Sequence, residues 1–577
     1  MSEPDRTHQF THSNTKRRAS VVYGSVGKGG LFIPSDFIVA HDNDFHHDEE
    51  STVAAETSPL LQAGPKNRRI SMVERELVGE ERDLLRDHNI ALPVGVGAHE
   101  VELVFEEAVI TKRLDHTTAR IELKALLKSS VPLVLTFLLQ NSLSTVSVFT
   151  VGHLGATELA AVSMGAMTAN ITGYATIQGI ATALDTLCPQ AFGARKYTLV
   201  GLYLQKCVAL IFVVMAPVMV VWMFYGFDLI CLLLPDRDTA KYAAVYLQYL
   251  TPGIPAYVLF ECGKRFLQAQ GIYHISTYVL LFAAPSNIVM NILFVRAFGY
   301  LGAPMAVAIN YWLMAIGLFV ATVFLVKAES TPTGIHPLAC WGELNVGAAF
   351  KHWGKLAQLA IPGLVMLEAE FLAFEILTLL ASYLGTYELA AQSVGTTMAS
   401  LTYQVPFAIG IASSTRIANY LGAGLASSAK KTTQVALSFG LLISTINFLA
   451  LYLFRNPIAR AFTNDEKVIK IIGSVMWLIA LMQISDAMNA NSAGCLRGQG
   501  QTKIGGIVNL VSYYVVGIPM SIYLSFYSPW KGTLHGLWIG SCVALTIIGA
   551  VQSYYSLTVD FNRLCEEARK RTDISMH

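Results

Sequence analysis

The segment GHLGATELAAVSMG at residues 152–165 returns as SYLGTYELAAQSVG at residues 382–395, with eight of the fourteen positions identical. The offset of about 230 residues is close to half of the hydrophobic part of the chain, so the sequence is built from two matching halves. Other pieces repeat at nearly the same offset. Leu267-Gln268-Ala269-Gln270-Gly271 is matched by Leu496-Arg497-Gly498-Gln499-Gly500, and Phe192-Gly193-Ala194 by Leu421-Gly422-Ala423. In a membrane chain this duplication points to transport, because two similar bundles rocking about a shared midline give alternating access.

The membrane assignment follows from composition. Hydrophobic residues make up 53% of the chain and charged residues 14%, and the mean hydropathy is +0.47. The apolar residues gather into runs long enough to cross a hydrocarbon core of about 30 Å. Twelve spans are predicted. The first six lie near residues 126–151, 159–184, 199–234, 242–267, 278–298 and 303–326. The second six lie near 356–383, 389–411, 432–454, 468–488, 504–526 and 534–555.

The fold class is therefore an all-α integral membrane protein, with twelve transmembrane helices in two six-helix lobes. An even number of spans per lobe makes the repeat parallel, about a pseudo-two-fold axis along the membrane normal. The predicted parts are a disordered cytoplasmic amino-terminal tail (1–120), an N-lobe (121–330), a linker (331–348), a C-lobe (349–560) and a cytoplasmic carboxyl-terminal tail (561–577).

Lys and Arg cluster at one end of the spans, as in Arg195/Lys196, Lys264/Arg265 and Lys430/Lys431. The positive-inside rule then puts both termini in the cytoplasm. Residues 455–470, with Arg455, Arg460, Lys467 and Lys470, lie on the wrong side for that rule. A net charge of +1 gives no case for nucleic acid. The eight scattered cysteines read as buried thiols rather than a disulfide frame or a metal site. No secretory signal peptide is expected at the start of the chain.

Ionisable groups in mid-span cost about 2.5–3.5 kcal/mol at a helix centre, so each needs a reason. Residues 361–375 hold Glu368, Glu370 and Glu375; Asp486 follows near Asn489 and Asn491, and Asp185 ends the second span. Glu370 and Asp486 are expected to face a shared cavity and exchange a proton, with Glu375 as a companion. A carboxyl group in a poorly hydrated cavity keeps its proton more readily, so it loads and unloads near neutral pH. The alternative is that these acids pair with buried cations or backbone donors and never change charge; the drawn spans contain no mid-span Lys or Arg to do so. Pro362-Gly363 precedes the cluster and reads as a hinge, or as an ordinary kink between packed helices.

Short patterns in the tail resemble addresses. Residues 56–61, ending in Leu60-Leu61, and 80–85, ending in Leu84-Leu85, fit acidic dileucine signals read by sorting adaptors. Ser20 and Ser71 follow basic pairs that suit a kinase. A vacuolar or lysosomal membrane is the favoured location, with the plasma membrane as the alternative.

The chain resembles the multidrug and toxic compound extrusion (MATE) transporters, in particular eukaryotic, fungal-like members. The resemblance rests on Gly152-His153-Leu154-Gly155 with Glu158-Leu159, Asp185-Thr186-Leu187 with Gln190-Ala191-Phe192-Gly193, and Leu359-Ala360-Ile361-Pro362. It continues through Glu388-Leu389-Ala390-Ala391-Gln392-Ser393, Val405-Pro406, Leu421-Gly422-Ala423-Gly424 and Cys495-Leu496-Arg497-Gly498-Gln499-Gly500.

The resemblance implies export of small organic, often cationic compounds across the bilayer in exchange for H⁺, with Na⁺ as an alternative coupling ion. It implies no other cofactor, no enzymatic activity and a monomer. The family's acids look like Glu370, Glu375 and Asp486, and its first-half asparagine looks like Asn170. An eighth-span acid of animal organic-cation exporters falls on Thr397, and a first-span glutamine falls on Phe137. The cleft candidates are thus Asn170, Asp185, Thr397, Asn489 and Asn491. A lipid or lipid-linked flippase of related fold is the runner-up, and should show a cationic cleft open toward lipid.

Overall fold

The computed structural model describes residues 117–573, apart from 153, 234–236, 329–330, 332–334 and 463–465; before residue 117 it describes only 82, 85, 90–92, 97, 100, 101 and 104. The described residues form helices and connecting turns, with twelve membrane-length rods. The N-lobe rods are α1 (Ala119–Val151), α2 (Ala156–Ala169, Asn170–Tyr174, Ala175–Ala181 and Leu184–Gly193), α3 (Tyr197–Val220, Val221–Tyr225 and Gly226–Leu233), α4 (Arg237–Leu250, Thr251–Gly253 and Ile254–Ala269), α5 (His274–Phe298) and α6 (Gly302–Phe324). The C-lobe rods are α7 (Gly354–Ser382), α8 (Thr386–Gly422), α9 (Ala426–Leu453), α10 (Glu466–Gln499), α11 (Thr502–Leu510, Val511–Gly517 and Ile518–Phe526) and α12 (His535–Thr558). A short amphipathic helix, α13 (Phe561–Arg571), follows.

Seven segments among the described residues are long and apolar enough to cross a membrane by length and composition, one of them running through both α5 and α6. Those that fall short include α7, which carries Glu368, Glu370 and Glu375. Large apolar side chains such as Phe224, Phe282 and Phe324 lie exposed on the outer faces of the rods. A bilayer would cover them, because burying apolar side chains in hydrocarbon removes them from water.

The duplication is visible in local geometry. Gly155 and Gly385 each lead into a helix with a glutamate three residues on, and a Cβ at either glycine would strike that glutamate's carboxylate. Gly271 (φ 76°) and Gly500 (φ 72°) end α4 and α10 in the left-handed conformation that glycine adopts without a steric penalty. The closing bonds also match, from Ile272 N to Leu267 O at 3.0 Å and from Gln501 N to Leu496 O at 2.8 Å.

Contacts between the lobes gather at the end that carries α13. Gly193 of α2 lies against the Asn419 carbonyl of α8, and Gly422 of α8 against the Gln190 carbonyl of α2; a Cβ at either glycine would collide with backbone. The two contacts exchange under the repeat, an offset of 229 residues. Glu122 of α1 pairs with Arg416 of α8 and accepts from Tyr420 at 2.8 Å and Thr432 at 2.8 Å. Along α7, Gly363 faces Gly179 and Thr182 of α2. The expected hinge dipeptide therefore sits at a close inter-lobe approach, inside an uninterrupted helix.

The expectation of disorder throughout residues 1–120 does not hold at every described position. Leu85 and Val101 are fully buried in a core with α8, α9 and α13, and Ile90, Leu92 and Val104 pack beside them. Sparse apolar residues in a polar segment find an existing greasy surface there. Leu60, Leu61, Leu84, Ser20 and Ser71 lie outside the described residues; Leu85 turns its side chain into the protein. Of the four cations at residues 455–470, Arg455 sits over the Tyr452 ring and Lys467 over the Tyr387 ring.

Candidate functional site: a cavity between the lobes

A cavity of about 560 Å³ lies between the lobes, lined from α1, α2, α4, α6, α7, α8 and α10. That volume is in the range of small-molecule sites. Phe137 of α1 meets Phe407 of α8 edge-on at 4.9 Å across the midline, and the inter-lobe contacts of Gly193, Gly422 and Glu122 close the lobes together at the α13 end, the sealed end.

The C-lobe wall is acidic. Glu370 and Glu375 of α7 and Asp486 of α10 all line the cavity. The five-residue spacing of the glutamates places them about one and a half turns apart on one rod. Tyr403 of α8 and Asn489 flank Glu370, and Asp486 and Arg497 lie within its electrostatic reach. A small side recess lined by Thr182, Gly363, Glu370, Tyr403 and Arg497 joins this wall to the lobe interface.

The N-lobe wall is different. A tyrosine triad, Tyr174, Tyr257 and Tyr311, packs at centroid distances of 4.8–5.9 Å. Below it, Lys264 Nζ donates to Glu261 at 2.9 Å and Gln140 at 3.0 Å, and Arg265 donates to Glu261 at 2.6 Å. Arg265 also pairs with Asp185 at 3.2 Å, and Asp185 lies 3.9 Å from Arg497 of the C-lobe. Thr186 donates to the Arg497 carbonyl at the same crossing.

Of the residues singled out from the sequence, Glu370, Glu375, Asp486 and Asn170 line the cavity. Asn170 opens a π-helical turn, Asn170–Tyr174, that swings two polar side chains inward. Asp185 does not line it: this acid is buried and ion-paired behind the wall, so the pairing reading holds for it. Of its partners, Arg265 sits at the very end of the predicted span 242–267, and Arg497 fell outside the predicted spans because α10 runs on to Gln499, past the drawn boundary of 488. Thr397 is exposed and bonds the Ser393 carbonyl instead. Asn491 packs against Gly440 of α9. Asn489 stands behind Glu370.

Glu261, Lys264, Arg265 and Tyr403 were missed. The signal available for the first three was the Glu261-x-x-Lys264-Arg265 spacing, which puts all three on one helix face.

Two repeat-related six-helix lobes around a cavity lined by apolar, aromatic and charged side chains define a secondary-transporter architecture. The MatE family profile matches twice, at residues 132–293 and 362–523, and the chain belongs to that family of transporters. It is 42% identical to an uncharacterized transporter of Saccharomyces cerevisiae over 81% of this chain, which spans 65% of that relative's length. It is 33% identical to mouse Multidrug and toxin extrusion protein 2, over 79% of this chain and 78% of the relative. The crystal structure of the eukaryotic MATE transporter AtDTX14 superposes with a TM-score of 0.72 at 28% identity, covering 79% of this chain and 99% of the other.

Proposed function

We propose that this transporter is an antiporter that extrudes small organic compounds, cations among them, in exchange for H⁺. The observation that carries the proposal is the convergence of Glu370, Glu375 and Asp486 on one inter-lobe cavity. Likeness to a mouse protein named for multidrug and toxin extrusion supports the cargo class.

Protonation of Glu370 removes a negative charge from the cargo wall and weakens its hold on a cationic cargo. It also leaves Arg497 to the pull of Asp185 across the lobe interface, 3.9 Å away. One proton thereby changes both cargo affinity and the balance between lobe arrangements, and the coupling is a difference in affinity between states. With the α13 end sealed, the cavity is loaded or emptied from the opposite side. The acidic C-lobe wall favours this reading over a flippase with a cationic cleft.

Glu370→Gln is expected to abolish pH-gradient-driven export from proteoliposomes while leaving membrane abundance unchanged. Undiminished export by that variant would overturn the coupling assignment, and export driven by an imposed Na⁺ gradient alone would replace H⁺ with Na⁺. Residence in a vacuolar or lysosomal membrane belongs to the same proposal. Replacing Leu60 and Leu61 by Ala should then move a tagged chain to the cell surface, and unchanged localisation rejects that address.

A further inference from the structure

The two cavity walls come from a duplicated frame but have opposite electrical character. The repeat offset of 230 places Glu370 at the position of Gln140, and the offset of 229 in α4 and α10 places Asp486 at that of Tyr257. By the same register, Glu261, Lys264 and Arg265 of the N-lobe stand where the C-lobe has Ala490, Ala493 and Gly494. Each half has acquired a charge set that the other lacks. Three acids face the cavity on one side; two cations and one acid face it on the other.

The N-lobe set holds an unmet donor beside a buried cation. The Lys264 ammonium donates to Glu261 and Gln140 and lies over the Phe137 and Phe260 rings. Gln268, one turn further along α4, lines the cavity and is 3% exposed, and its amide Nε2 has no hydrogen-bond partner. A buried amide donor left unpaired costs about 1–3 kcal/mol, which a ligand acceptor placed there would recover. Lys264 and Gln268 are both buried and both line the chamber that Glu370 and Asp486 enter from the other lobe.

We propose that Lys264 and Gln268 form an anion subsite for cargo, so that the preferred substrates are zwitterions whose cationic group faces the C-lobe acids and whose carboxylate faces α4. The subsite rests on the reading of this cavity as the cargo site. Glu261 and Asp185 hold Lys264 and Arg265 in place and offset their charge in the absence of cargo. The subsite is therefore an arranged donor set rather than a naked positive patch. A cation with no acceptor group fills the C-lobe half of the cavity and leaves the Gln268 amide unpaired.

The test uses two probes differing in one group: N,N,N-trimethylphenylalanine, a zwitterion, and 2-phenylethyltrimethylammonium, the same cation without the carboxylate. Equilibrium binding is measured on the full chain in nanodiscs. The zwitterion is expected to bind about tenfold tighter, the span of one charge-assisted hydrogen bond. Lys264→Gln should erase that preference, weakening the zwitterion and leaving the cation probe little changed, whereas Lys264→Arg should keep it. Gln268→Leu, which leaves the ion pairs intact, should weaken the zwitterion alone and serves if Lys264→Gln fails to fold. Equal binding of the two probes, or equal weakening of both by Lys264→Gln, overturns the subsite and leaves the cargo cavity standing. Binding of neither probe by monodisperse wild-type protein overturns both.

Discussion

Arg195 holds a left-handed backbone (φ 60°) where the second repeat has Gly424 (φ 79°). The closing bonds are the same, from Lys196 N to Ala191 O at 2.9 Å and from Leu425 N to Tyr420 O at 2.9 Å. A Cβ in that region costs about 1–2 kcal/mol, so Arg195→Gly is expected to raise the thermal midpoint of the detergent-solubilised protein slightly. A lowered midpoint would mean that the arginine's contacts outweigh its backbone strain. Glu122 and Arg416 are the opposite case, a fully desolvated pair whose carboxylate has further partners in Tyr420, Thr432 and Thr117. Removing one member strands the other, so Arg416→Leu should cost about 3–5 kcal/mol, with Glu122→Gln in the same chain recovering part of it. Thermal unfolding of both variants checks the sign. Arg416 lies beyond the eighth predicted span, which ends at 411, and only the packing of α1 against α8 and α9 makes it a buried cation.

At the scale of elements, α2 and α8 are repeat partners that cross where each brings a glycine to the other's backbone carbonyl. The Phe192-Gly193-Ala194 and Leu421-Gly422-Ala423 motifs were legible as a repeat, but the reason for the glycines was not. A side chain at either position cannot fit while the α13 end is sealed, and sealing is a property of two helices meeting. Gly193→Val and Gly422→Val are therefore expected to favour the arrangement in which this end is open. Spin labels at residues 195 and 424 should then report a longer distance than in the parent protein. An unchanged distance would show that the crossing does not limit closure. The π-helical turns at Asn170–Tyr174 and Val511–Gly517 belong to the same scale, and no composition signal marked them.

For the whole molecule, α13 acts as a strap across the sealed end. It packs against α8 and α9, and the chain at its end accepts hydrogen bonds from the N-lobe, from Tyr203 to the Arg571 carbonyl at 2.5 Å and from Lys196 to the Thr572 carbonyl at 2.6 Å. Lys355, at the start of α7, donates to the Lys570 carbonyl at 2.9 Å. Deleting residues 561–577 should broaden the distance distribution between the same two labels, and an unaltered distribution would remove the strap from the closure. The sequence by itself determined the all-helical membrane class, the doubled architecture and the acidic cluster of α7. These depend on apolar run length, motif spacing and the cost of charge in hydrocarbon, all of which are local in the chain. Tertiary structure decided which acids meet. Asp185 and Glu370 both read from the sequence as carboxylates in or beside an apolar span, yet one is neutralised by Arg265 and the other faces an open chamber. That difference arises where α2, α4, α7 and α10 converge, because a charge's role depends on what lies within a few ångströms of it, and those neighbours are far apart along the chain.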